Sequence, residues 1–130
     1  MALGKFADAV DAYKEALSSD PKNAGAWFGM GVALGELKRY REELECYDQA
    51  LKLEPEMLGA WINKGTVLHR MGKYRDALQC YENALVVSPD STEAKKNKLA
   101  ALKKVGRDGE ARQLEEELKT AKRKKREHQV

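Results

Sequence analysis

Proline is almost absent from this 130-residue chain, with three residues, and so are cysteine and histidine, with two each. Neither histidine sits in a sequence context suggesting a metal site, and no CxxC, HExxH, P-loop or GxGxxG pattern occurs. No metal and no cofactor are therefore expected. No apolar run approaches the roughly 18 residues that a membrane helix needs. The opening Met1-Ala2-Leu3-Gly4-Lys5 lacks the apolar core of a signal peptide. A non-membrane, cytoplasmic setting is the expectation. Neither His69 nor His128 has neighbours suggesting a nucleophile, so no catalytic residue is expected and the chain reads as a non-enzyme.

What is present is charge, 35% of residues, beside 42% hydrophobic residues. The charge is divided unevenly. Residues 1–91 hold 11 Lys and Arg against 14 Asp and Glu, whereas residues 92–130 hold 13 against 7. The basic excess belongs to the C-terminal part alone.

The three prolines, Pro21, Pro55 and Pro89, stand 34 residues apart. The same step joins Trp27 to Trp61, Gly31 to Gly65, Tyr40 to Tyr74, Cys46 to Cys80, Tyr47 to Tyr81, Ala50 to Ala84 and Leu51 to Leu85. Residues 24–57 laid over 58–91 give 13 identities in 34 positions. A fixed period of this size marks stacked supersecondary units. Within one period, residues 59–71 carry Trp61, Leu68 and Met71 at helical spacing. Gly72 breaks that helix, and a second follows from Tyr74 to Val87 with Tyr74, Ala77, Leu78, Tyr81, Ala84 and Leu85 on one stripe. Pro89 ends it, and Asp90, Ser91 or Thr92 is placed to cap the next helix. Neither helix of such a hairpin can bury its apolar stripe alone, so the next hairpin must stack on it.

Trp61-x2-Lys64-Gly65-x2-Leu68 followed by Gly72-x-Tyr74-x2-Ala77-x3-Tyr81-x2-Ala84 and Pro89 resembles the tetratricopeptide-repeat (TPR) pattern. The copy at Trp27, Met30, Gly31, Leu34, Tyr40, Tyr47, Ala50 and Pro55 resembles it too. That copy departs at Lys38, where Gly is usual, and at Glu43, where a small residue lets the two helices approach. The resemblance implies an all-α, right-handed superhelical solenoid of helix-turn-helix repeats. It divides residues 1–127 into a half repeat (1–23), two repeats (24–57 and 58–91) and a degenerate capping hairpin (92–127), with 128–130 as a tail. The half repeat lacks its first helix, which would leave the face of Phe6, Ala9 and Val10 open. A longer array, or a second chain, would cover it. In the capping hairpin Lys95, Leu99 and Glu115 replace the Trp, Gly and second aromatic, while Ala111, Leu114, Leu118 and Ala121 form the sealing face.

Other readings of the same residues are weaker. Cys46 and Cys80 occupy equivalent places in successive hairpins, roughly 8–10 Å apart at the helix axes, too far for a disulfide. The strict recurrence of the aromatics assigns them to the core instead of a base-stacking platform. The run Lys122-Arg123-Lys124-Lys125-Arg126 has no interleaved aromatic. It reads as a solvated helix end rather than a nucleic-acid patch, which stays the rival reading, as does a self-assembling scaffold joined through the open N-terminal face.

The resemblance implies a protein–protein interaction module that holds a peptide or helix of a partner in a concave groove. The groove is built from the first helices of the repeats. The expected peptide-binding residues are Phe28, Val32 and Ile62 for apolar contact, Asn63, Thr66 and Asn97 for polar contact, and Arg70, Lys96 and Lys103 for selecting acidic groups. Asn63 and Asn97, 34 apart, offer both donors and acceptors to an extended backbone. The chaperone-binding subfamily clamps a C-terminal carboxylate with Lys, Asn, Asn, Lys and Arg. Mapped in that register, Phe28, Val32, Asn63, Glu93 and Asn97 match at one position of five, which argues against such a clamp.

Overall fold

A computed structural model describes residues 2–128. Met1, Gln129 and Val130, and with them most of the expected tail, lie outside the described residues. Among the described residues seven helices follow one another: α1 (Ala2–Ser19), α2 (Ala24–Glu36), α3 (Tyr40–Leu53), α4 (Leu58–Arg70), α5 (Tyr74–Val87), α6 (Thr92–Lys104) and α7 (Asp108–Glu127). The described residues contain no strand. Each helix packs on the next, and α4 also touches α6, so the molecule is an all-α helical repeat solenoid.

Two kinds of turn alternate, each with a local cause. Between the helices of one hairpin the chain passes through the left-handed region, at Lys38 (φ 60°), Gly72 (φ 77°) and Gly106 (φ 77°). There the N–H of Arg39, Lys73 and Arg107 donates to the carbonyls of Leu34, Leu68 and Leu102. This closes a Schellman turn each time. Lys38 adopts the same geometry as the glycines, at a cost of about 1–2 kcal/mol for a residue with a Cβ. Between hairpins the prolines act. The Trp27 indole N–H donates to the Pro21 carbonyl at 3.0 Å and Trp61 repeats the bond to Pro55 at 2.8 Å. Trp and Pro recur together because each indole ties down the turn before its helix. Asn23 caps α2 and Ser91 caps α6, accepting from the N–H of Ala26 and Ala94.

Packing explains the paired glycines and tyrosines. Tyr47 and Tyr81 are buried, 1% and 2% exposed. Each ring lies against the bare backbone of Gly31 or Gly65 on the preceding helix. In the last hairpin the sizes are exchanged. Leu99 fills the place of the glycine and packs on the core, while Glu115, in place of the tyrosine, reaches the surface and pairs with Lys103 at 2.8 Å.

Two expectations for the ends need correction. Val10 is buried in the cluster formed with α2, with Phe6 and Ala9 packed against it, so that face is not left open. The uncovered side of α1 instead carries Ala16, whose counterparts Ala50 and Ala84 are fully buried. The helix that covers those two has no counterpart among the described residues. On α7 the seal consists of Ala111, Leu114 and Leu118, whereas Ala121 is exposed together with residues 122–128. Cys46 and Cys80 are buried and unpaired, as their spacing predicts, and burial pushes their thiols up to about 12 and about 11.

Candidate functional site: the face of α2, α4 and α6

The first helices of the hairpins present side chains on a shared face, and the structure sorts the predicted residues there into three groups. Val32, Asn63, Thr66 and Arg70 come together in the lining of one pocket of about 380 Å³. Asn97 is half-buried and Lys96 exposed, both farther along on α6. Phe28 and Ile62, which share a repeat position, face the seam between hairpins. The half-buried Phe28 ring lies 5.8 Å from that of Tyr47 and over Gly59 of α4. Ile62 is 4% exposed and packs with Ala84 and Ala94. It belongs to the core and offers no contact surface, contrary to the sequence expectation. The reason is Ala94, small enough for α6 to close over the isoleucine. Lys103 stays exposed on α6, with its ammonium paired to Glu115 of α7.

The pocket itself is completed by residues outside the expected peptide-binding set. Gly35 and Glu36 end α2, Lys38 forms the turn, Tyr40, Glu43 and Tyr47 come from α3, and Val67 from α4. Glu43 decides its character. Only 5% exposed, it is the buried charged residue among the described ones. The Tyr47 hydroxyl donates to its Oε2 at 2.7 Å, while Oε1 has no hydrogen-bond partner within the protein. Burial raises the Glu43 carboxyl above the usual range, partly offset by the Tyr47 hydrogen bond and the positive charge of Arg70, with Glu36 adding to the rise. Burial likewise raises the Tyr47 hydroxyl, reinforced by its bond to Glu43.

A carboxylate fits here because Gly35 has no side chain. A Cβ at position 35 would lie 2.5 Å from Glu43 Oε2. In the next hairpin the equivalents of Gly35 and Glu43 are His69 and Ala77. The bulk has changed helices: the His69 ring packs edge-on against Tyr74 at 4.8 Å, and Ala77 is fully buried. The signal was present in the sequence as two departures, Gly for His and Glu for Ala. It becomes readable only when the two are seen to touch.

Electrostatically the face is mixed at this pocket and basic beyond it. Lys38 and Arg70 stand exposed beside Glu36, and α6 adds Lys96. The opposite side of α4 holds an ordinary surface pair, Lys64 to Asp48 at 2.7 Å, with the Lys64 ammonium 5.8 Å from the Trp61 ring centre. No group of three or more potential metal ligands occurs among the described residues. None of their helices is long and apolar enough to cross a membrane.

Family models described as tetratricopeptide repeat match residues 1–57 and 59–91. No curated protein sequence matches. Among solved structures, MamA is 22% identical with a TM-score of 0.89, over all of this chain and 71% of its own. The first TPR domain of Spaghetti (RPAP3), bound to the HSP90 peptide SRMEEVD, is 22% identical with a TM-score of 0.76, over 79% of this chain and 82% of its own. The second TPR domain of human RPAP3, in complex with the HSP70 peptide SGPTIEEVD, is 24% identical with a TM-score of 0.71, covering 75% and 82%. At these identities the likeness establishes the shared fold.

Proposed function

Because the chain belongs to the tetratricopeptide-repeat family, we propose that it is a non-catalytic interaction module holding a peptide or helix of a partner protein along the face of α2, α4 and α6. Residues 1–127 act as one domain in this reading, with 92–127 as its cap. The observation that carries it is the pocket between α2, α3 and α4, which gathers Val32, Asn63, Thr66 and Arg70 from two successive hairpins. Asn63 and the half-buried Asn97 then provide amide contacts one repeat apart, and Val32, 37% exposed, supplies apolar surface. Two neighbours of the same fold carry peptides ending in EEVD. Here Phe28, Val32 and Glu93 stand where the carboxylate clamp has two lysine or asparagine side chains and a lysine, so the partner is gripped along its length and not by its C-terminus. Exposed Arg70 and Lys96 favour acidic positions in it, through rate and salt dependence more than through affinity.

The test is the double substitution Asn63→Ala with Asn97→Ala. Each backbone-directed hydrogen bond contributes about 1 kcal/mol, so affinity for a partner captured by the wild type should fall about tenfold or more. Both side chains lie at the rim of the core, so Tm should drop by no more than a few degrees. Unchanged affinity by calorimetry removes the assignment of this face.

A further inference from the structure

Glu43 is an expensive residue to bury, and its surroundings show what it lacks. A carboxylate accepts at both oxygens, and the protein satisfies Oε2 alone. The neighbouring hydroxyls are committed as donors elsewhere: Tyr47 donates to Glu43, and Thr66 donates to the Ile62 carbonyl at 3.0 Å. Each has one hydrogen, so what both present to the pocket is lone pairs. The free acceptor is therefore Glu43 Oε1, which the donors of Lys38, Asn63 and Arg70 lining the same pocket leave unbonded. The pocket walls beside these atoms, Val32 and Val67, are apolar. Neither Arg70 nor Lys38 forms an ion pair with Glu43, although both line the same pocket.

We propose that this pocket is a lysine-reading subsite. The ammonium of a lysine in the bound segment donates to Glu43 Oε1, while its methylene stem lies along the exposed Val32. An ammonium suits the site because it is compact and carries three donors and no acceptor, whereas a guanidinium needs a planar fork of acceptors. The inference rests on the groove reading above and adds polarity to it. A lysine anchors the segment at the α2–α4 end, and acidic positions follow toward Lys96.

The experiment needs no partner. Nα-acetyl-lysine-N-methylamide is titrated into the full chain at millimolar concentration, with methyl NMR shifts read at Val32, Thr66 and Val67. The norleucine analogue, with the same stem and no ammonium, and the arginine analogue are run beside it. At pH 7.5 lysine should bind at least tenfold more tightly than either, with shifts confined to these methyls. The preference should vanish in Glu43→Gln. Equal binding of lysine and norleucine, or a lysine preference that survives Glu43→Gln, overturns the proposal.

A pH series on the wild type decides the matter even where Glu43→Gln folds poorly. The ionised carboxylate is the binding form and burial raises its carboxyl, so lysine affinity should begin to fall at a higher pH than the ordinary glutamate value of about 4.3 implies. The other groups facing Glu43 are Tyr47 and Tyr40 on α3, Glu36 on α2, Lys38 in the turn and Arg70 on α4. Glu36 is the one other carboxylate among them, and Glu36→Gln should leave the pH response intact. A flat response between pH 7.5 and 4.5 contradicts the proposal. Should lysine fail while the Asn63/Asn97 variant still loses its partner, the subsite falls and the groove stands. The reverse pattern removes the groove and leaves the subsite.

Discussion

Gly65→Leu is expected to cost about 3 kcal/mol or more of stability, the upper end of what overpacking costs in a core. Gly65 lies on α4 where the Tyr81 ring presses against the helix backbone. A Cβ there would touch the ring directly, with Cζ at 2.8 Å and Cδ1 at 2.9 Å. Tyr81 has nowhere to retreat, because Ala77, Leu78, Ala101 and Leu102 pack the same cluster. Leucine does gain up to about 1 kcal/mol of helix propensity over glycine, and the clash outweighs it. Gly109 on α7 provides the contrast, with nothing within 4 Å of its Cβ position. Gly109→Ala should raise stability by a few tenths to about 1 kcal/mol. Urea unfolding followed by circular dichroism measures both. A Gly65→Leu variant within about 0.5 kcal/mol of wild type, inside the range of ordinary surface changes, would mean that the glycine–tyrosine contact does not hold the hairpins together.

Gly35→His should destabilise the first complete hairpin by about 2–4 kcal/mol, by driving a side chain into the buried Glu43 carboxylate. Adding Glu43→Ala should return most of that loss. The double variant reproduces the pair His69 and Ala77 of the next hairpin, where the same architecture is built with the bulk on the other helix. Glu43→Ala alone removes a buried carboxylate but opens a cavity and strips Tyr47 of its acceptor, so its own effect should be small. The coupling between the two positions should then reach about 2 kcal/mol, within the range for residues in contact. Strict additivity would show that the two departures from the repeat pattern are independent accidents.

The period, the helix pairs and the turn positions are legible in the sequence because each repeats a contact that backbone geometry forces. Pro21 and Pro55 recur with Trp27 and Trp61 because the indole bonds the proline carbonyl six residues back. Gly72 is placed where φ is positive, and Lys38 shows that the turn overrides the residue's own preference. The face of α2, α4 and α6 is legible only in part. Adjacent helical positions point about 100° apart, and whether Ile62 meets solvent depends on how closely α6 approaches, which Ala94 controls. Lys103 reads as a free groove cation until α7 brings Glu115 beside it. Glu43 reads as a flaw in a small-residue position. Its partner in volume, Gly35, lies eight residues earlier on the other helix of the hairpin, and no single-helix pattern connects them.

The central claim is that a partner segment lies along α2, α4 and α6. The most direct measurement is amide chemical-shift mapping with the shortest captured segment that limited proteolysis leaves bound. The account predicts perturbations that run from Val32 through Asn63 and Thr66 to Asn97 and are absent from the outward residues of α3 and α5. Perturbations confined to α7 beyond Leu118, or to the uncovered side of α1 around Ala16, would contradict it.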